Sequence, residues 1–147
     1  MPTAAPDLTF EVLGQPKPQG SHRAIQPKHG GPPIVIDSAG APLKDWRRAI
    51  TDAAREARDG ADTFDEPVAV SLAFRMKRPQ HPTWAYPATT PDVDKLARAC
   101  LDALTAARVI RDDARVIQLH VTKTYESASS PPGLVCKVWR IAPPSPW

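Results

Sequence analysis

Asp92 and Asp94 stand two residues apart at the start of a predicted helix, and Asp112 and Asp113 follow its far end. Clustered carboxylates repel one another and raise the cost of folding unless a cation sits among them. A divalent metal is the candidate cation. In a chain with an excess of Lys and Arg, Asp gathered around a metal points to phosphodiester chemistry, where the metal polarises the phosphate, activates water and stabilises the leaving oxygen.

Residues i and i+2 of a regular helix face nearly opposite sides. Asp92 and Asp94 can therefore share one ion only if Asp92 lies at the frayed start of the helix. Thr90-Pro91 permits that, because Pro is tolerated in a first turn. The exposed N–H groups and the dipole favour carboxylates there as well. Asp112 and Asp113 occupy the turn before the next strand, and if that strand runs back beside the helix start, an Asp returns to the pair. The same residues also have ordinary uses, since Asp caps helices and an Asp-Asp pair suits a turn. Asp102, two turns beyond Asp94, can pair with Arg98 on the solvent side and is given at most a supporting role.

The elements that must position these acids read from periodicity. Leu8 to Leu13 alternates as a strand and stops at Gly14. Residues 15–33 are rich in Pro, Gly and basic side chains and read as an extended loop, followed by a short strand at Ile34–Ile36. A helix is expected from about Pro42 to Arg58, with Leu43, Trp46 and Ile50 on one side. Val68 to Met76 is a strong strand whose alternate residues are apolar. Residues 77–90 form a long loop with Trp84 and Tyr86, which are expected to pack. In the following helix Val93, Leu96, Ala97, Cys100, Leu101 and Leu104 make one apolar stripe. Strands are expected at Val116–Tyr125 and Leu134–Ile141. The order β-β-α-β-α-β-β implies an α+β fold, a mixed sheet with two main helices packed on one side.

At 147 residues the chain is expected to be a single domain, residues 1–147, with loose Pro-rich ends. Its net charge of +3 is compatible with nucleic-acid binding without demanding it. Cys100 and Cys136 lack a metal-ligand spacing and are expected to be buried free thiols of a reducing compartment. The opening residues carry no apolar leader and no run is long enough for a membrane span, so a cytoplasmic location is expected, with no membrane partner.

The pattern P-D-V-D-K-L-x-R-x-x-L-D-A-L at Pro91–Leu104, then R-V-I-R-D-D-A-R-V-I and a strand containing Lys123, resembles the RusA family of Holliday junction resolvases. The likeness extends to G-x-P-x-P-x-G-x-x-R at Gly14–Arg23. The resemblance implies a small homodimeric endonuclease, common in phages and prophages, that uses Mg²⁺ (or Mn²⁺) to nick four-way DNA junctions in recombination and repair. Carried over by position, Asp92, Asp94 and Asp113 are its essential acids and metal ligands, with Asp112 beside them. Where the family has a catalytic Lys, this chain has Arg98, and a Lys stands at Lys95 instead. Arg98 would act by charge and orientation, since it does not release its proton, and Arg98 or Lys123 would support the phosphate.

Branched DNA requires a broad cationic surface. Lys17, His22, Arg23, Lys28, Lys95 and Lys123 are the candidates, joined by Arg75, Lys77 and Arg78 at the end of the central strand. Trp84 and Tyr86 have base stacking as their second use. The rival readings are a junction-binding protein without cleavage, a metal-dependent nuclease for another nucleic-acid structure, and an α+β protein whose acids only cap and turn.

Overall fold

The computed structural model describes residues 1–20, 22–25, 30–31, 34–37 and 40–146, with side chains for 1–20, 30–31 and 41–146. Its elements are β1 (Leu8–Leu13), β2 (His22–Ile25), β3 (Ile34–Asp37), α1 (Gly40–Arg58), β4 (Val68–Met76), α2 (Val93–Ala106), a 3₁₀ turn (Asp113–Arg115), β5 (Val116–Tyr125) and β6 (Gly133–Arg140). The fold is α+β, as the periodicity indicated. One strand was not anticipated: among the described residues β2 pairs with β3 alone, in a separate two-stranded ribbon. Its four residues, His-Arg-Ala-Ile, are too few to show an alternation within a Pro- and Gly-rich stretch.

The main sheet has four strands in the order β1-β6-β4-β5. β6 pairs antiparallel with both β1 and β4, whereas β4 and β5 run parallel. Parallel neighbours cannot be joined by a hairpin, and α2 supplies the crossover between them. β5 is therefore an outer strand. It runs opposite to α2, from the helix's C-terminal end back to its N-terminal end.

The core follows from the patterns. Val68, Val70, Leu72, Phe74 and Met76 of β4 are at most 4% exposed and meet Leu8, Phe10 and Val12 of β1 and Leu134, Cys136 and Val138 of β6 in one cluster. Trp46, Ile50 and Ala54 of α1 and Leu96, Ala97, Cys100 and Leu104 of α2 cover it. Each large apolar side chain buried this fully contributes about 1.5–3 kcal/mol relative to exposure. Val93 departs from the expected stripe: in the first helical turn it is 41% exposed. Gly133 is needed at the start of β6, since a Cβ there would collide with the Val12 carbonyl. Cys100 and Cys136 are both buried and unbridged. The Cys136 thiol hydrogen-bonds Cys100, and that contact, then burial, pushes its pKa well up.

Candidate active site

The site begins where the long loop 77–92 becomes α2. Pro91 lies outside the helix, Asp92 is its N-cap, and Val93 is the first helical residue. Asp92 has extended backbone (φ −73°, ψ 146°), and its carbonyl accepts the first helical bond from the Leu96 N–H at 3.1 Å. Its carboxylate does not cap the helix. An N-cap Asp ordinarily turns its side chain onto the N2 or N3 N–H groups. Here the side chain is 56% exposed, with Lys95 Nζ 3.7 Å from one carboxylate oxygen as an ion-pair partner. Asp94 is exposed one turn before Arg98, and among the described residues no hydrogen bond or ion pair engages it. The condition set by helix geometry for Asp92 and Asp94 to serve one ion, an extended Asp92 at the helix start, is therefore met.

Two neighbours fix this corner. Lys123 of β5 reaches it because β5 runs back along α2. Its Nζ donates to the Thr89 carbonyl at 2.7 Å and to the Pro91 carbonyl at 2.8 Å. On the other side, the 15–20 loop is held by glutamines. The Gln15 side chain accepts from the Lys77 N–H at 3.0 Å. The Gln19 N–H donates to the Lys95 carbonyl at 3.0 Å, and its buried side-chain oxygen accepts from Arg47 Nη1 at 3.2 Å. Between this loop and the helix start lies an open cleft of about 480 Å³, lined by Gln15, Lys17, Thr90, Asp92 and Lys95 among others. Lys17 and Lys95, both named from the sequence, thus flank an acid on one concave surface. Gln15, Gln19 and Arg47 were not anticipated; a Gln within a Pro-rich run carries no periodic signal that singles it out.

Asp113 lies elsewhere. One of its carboxylate oxygens accepts from Thr105 Oγ1 at 3.0 Å, at the C-terminal end of α2. Thr105 is eleven residues beyond Asp94, about 16 Å at ~1.5 Å per residue. The strand gives an independent measure: Val116 to Lys123 is seven residues, about 23 Å at ~3.3 Å each. Carboxylates that share one Mg²⁺ bind it at about 2.1 Å, which brings their oxygens within about 4 Å of each other. Within one chain Asp113 therefore does not join Asp92 and Asp94. The expectation that β5 runs back beside the helix start holds, but what it delivers there is Lys123, since Asp113 precedes the strand. Asp112 is the N-cap of the 3₁₀ turn, and its side chain accepts from the Ala114 N–H. Asp102, between the two ends, has its carboxyl pKa pushed up by partial burial and then by Asp113, against the opposing pull of Arg47 and Arg98.

The expected cationic surface divides. Lys77 and Arg78 are exposed. Arg75 is committed internally, to Glu11 at 2.9 Å and to the Pro131 carbonyl at 2.6 Å, and its side chain is only 14% exposed. The side chains of His22 and Arg23, and all of Lys28, lie outside the described residues. Trp84 and Tyr86 do not pack as expected; they are 57% and 67% exposed. The loop that carries them is Pro-rich and runs through a series of bends, with Pro87 buried and the two aromatics facing solvent.

Asp92 and Asp94 fit a hard divalent cation. Mg²⁺ is commonly held by one or two carboxylates together with substrate phosphate oxygens and water, and an open cleft beside two lysines leaves room for a phosphate. Among the described residues no three His, Cys, Asp or Glu side chains gather into a metal site within one chain. Among the described residues no helix is long and apolar enough to cross a membrane.

No curated protein matches the chain. Residues 14–138, most of its length, match the family model described as endodeoxyribonuclease RusA, and the match takes in the proline loop, the helix-start acids, the Asp112-Asp113 turn and Lys123. The chain belongs to the RusA family of endodeoxyribonucleases, the Holliday junction resolvases.

Proposed function

We propose that this protein is a homodimeric, Mg²⁺-dependent endonuclease that resolves four-way DNA junctions by paired nicks, with Mn²⁺ able to replace Mg²⁺. The observation that carries the reading is the Asp92–Asp94 pair at a helix start, Asp92 not spent on capping and Asp94 without a bond among the described residues, bordered by a lysine-lined cleft. A divalent cation, when bound, supplies polarisation of the phosphate and acidification of water. Asp92 and Asp94 hold it at the mouth of the cleft. Lys17 and Lys95 hold phosphates on either side of the scissile one. Arg98, one turn beyond Asp94, orients that phosphate and offsets its developing charge without giving up a proton. The products are a 5′-phosphate and a 3′-hydroxyl. Trp84 and Tyr86, standing free on the loop that leads to Asp92, stack on bases that lose their partners at the junction.

Asp113 enters from the second copy. β5 is an outer strand and exposes Ile117 and Leu119, 58% and 45% accessible, close to Asp113 in the chain. Large apolar side chains on an open sheet edge are a surface that a second copy covers. A two-fold axis perpendicular to β5 sets the two strands antiparallel. The start of β5 in one protomer, beside Asp113, then faces the end of β5 in the other, beside Lys123 and Asp92. The same operation builds both sites at once, as paired nicking of a two-fold symmetric junction requires.

The test is nicking of synthetic four-way junction, flap, duplex and single-stranded DNA with and without Mg²⁺. Metal-dependent cleavage that favours the junction is expected. Equal cleavage of all four would make the protein a less selective nuclease. Tight junction binding without nicking in any metal would favour a binding protein, the reading to which the Arg98 substitution gives weight.

A further inference from the structure

We propose that Lys123 is a positioning residue for the metal site: its ammonium ties together the carbonyls of Thr89 and Pro91 and so fixes the backbone that presents Asp92. The proposal rests on the reading of Asp92 and Asp94 as metal ligands.

Register brings Lys123 there. It pairs with Phe74 in the parallel β4–β5 ladder and shares a face of β5 with Val121 and Tyr125. A lysine at that position is half-buried, and an ammonium out of full contact with water requires acceptors. It finds two, at 2.7 and 2.8 Å, distances typical of charge-assisted bonds. Those carbonyls belong to the last turn before the helix, and among the described residues no other group donates to them. An ammonium has three N–H bonds, so at most one remains for DNA. The geometry thus assigns Lys123 to the loop and leaves phosphate contact mainly to Lys17 and Lys95. The Asp92 carboxylate gains no order from capping, so its direction follows from its backbone, held by the clamp one residue upstream and by the Leu96 N–H on the Asp92 carbonyl. Groups that orient a metal ligand from behind typically change metal affinity 10- to 100-fold when removed.

Two measurements separate this role from a phosphate contact and from a purely structural one. The first is Mn²⁺ binding in the presence of an uncut junction, followed by the EPR signal of free Mn²⁺, for wild type, Lys123→Met and Asp92→Asn. Lys123→Met keeps the length of the stem and removes every donor. The second is the salt dependence of junction binding in Ca²⁺. The expected result is Mn²⁺ affinity about tenfold or more weaker in Lys123→Met, with the salt slope unchanged. Unchanged Mn²⁺ affinity in a folded Lys123→Met protein would overturn the proposal. So would a salt slope shallower by about 0.9, the signature of one lost phosphate contact. If Lys123→Met fails to fold, Lys123→Gln, which keeps two donors without the charge, is read by the same criteria. Should Asp92→Asn bind Mn²⁺ as well as wild type, the metal-site reading itself fails and this proposal falls with it. Loss in Asp92→Asn alongside wild-type affinity in Lys123→Met would refute the Lys123 role alone.

Discussion

Asp92→Asn and Asp113→Asn should each abolish nicking, yet a dimer containing one copy of each should nick. The prediction follows from distance. Asp113 is bonded to Thr105, about 16 Å along α2 from Asp94, too far for one ion within a single chain. If Asp113 acts across the two-fold axis, the mixed dimer has one site that combines the native Asp92 of one copy with the native Asp113 of the other. Its second site carries both lesions. Random pairing makes about half of the dimers mixed, so an equimolar co-expressed pool should hold roughly a quarter of the wild-type number of sites. A mixed dimer isolated through two different tags should hold about half. Single-turnover cleavage of a labelled four-way junction reads both quantities. The isolated mixed dimer should also accumulate singly nicked junction rather than resolved duplexes, since only one of its sites works. If the mixed dimer is as dead as its parents while remaining dimeric and junction-bound, Asp113 does not act in trans. If Asp113→Asn alone nicks normally, Asp113 is no ligand.

Three further outcomes are expected. Leu119→Asp, which places a charge on the exposed apolar edge of β5, should shift the protein to a monomer in analytical ultracentrifugation and abolish nicking while leaving the helical circular-dichroism signal intact. Arg98→Ala should lower the single-turnover rate by about tenfold or more with little change in junction affinity, and Arg98→Lys should retain most of that rate, because the role requires fixed charge beside the phosphate. Asp102 binds its proton more tightly folded than unfolded, so it favours the native state at low pH and loses that contribution as pH rises through its elevated pKa. Asp102→Asn should therefore melt at a higher temperature than wild type near neutral pH, with the difference shrinking as pH falls through the elevated pKa and gone below the ordinary carboxylate range.

Most elements were legible because their periodicities are strong. The alternation through β4 and the stripe Leu96, Ala97, Cys100, Leu104 leave little choice of structure, and the structure buries those faces. The ribbon β2–β3 was half hidden, since four residues amid Pro and Gly show no period. The helix-start pair was legible from Thr90-Pro91 and the spacing of Asp92 and Asp94. The position of Asp113 was written in chain order and missed: it precedes β5, so it lies at the C-terminal end of α2, and only the far end of the strand returns to the helix start. A ten-residue strand spans about 33 Å, so its first and last residues serve different places. Lys123 left a signal that could have been followed: a charged residue between Val121 and Tyr125 on one face of an alternating strand needs a partner. Trp84 and Tyr86 were expected to pack because large aromatics usually bury area, but a Pro-rich loop held at its ends, with Gln15 at Lys77 and Lys123 at Thr89 and Pro91, can stand away from the core.

The acid pair at the start of α2 is tested most directly by Asp94→Asn, because Asp94 has no structural bond to lose among the described residues. Single-turnover nicking of a four-way junction in Mg²⁺ should fall by at least about a hundredfold in this variant, with melting temperature and junction affinity in Ca²⁺ close to wild type. Nicking at the wild-type rate by a folded, junction-bound Asp94→Asn protein would contradict the assignment.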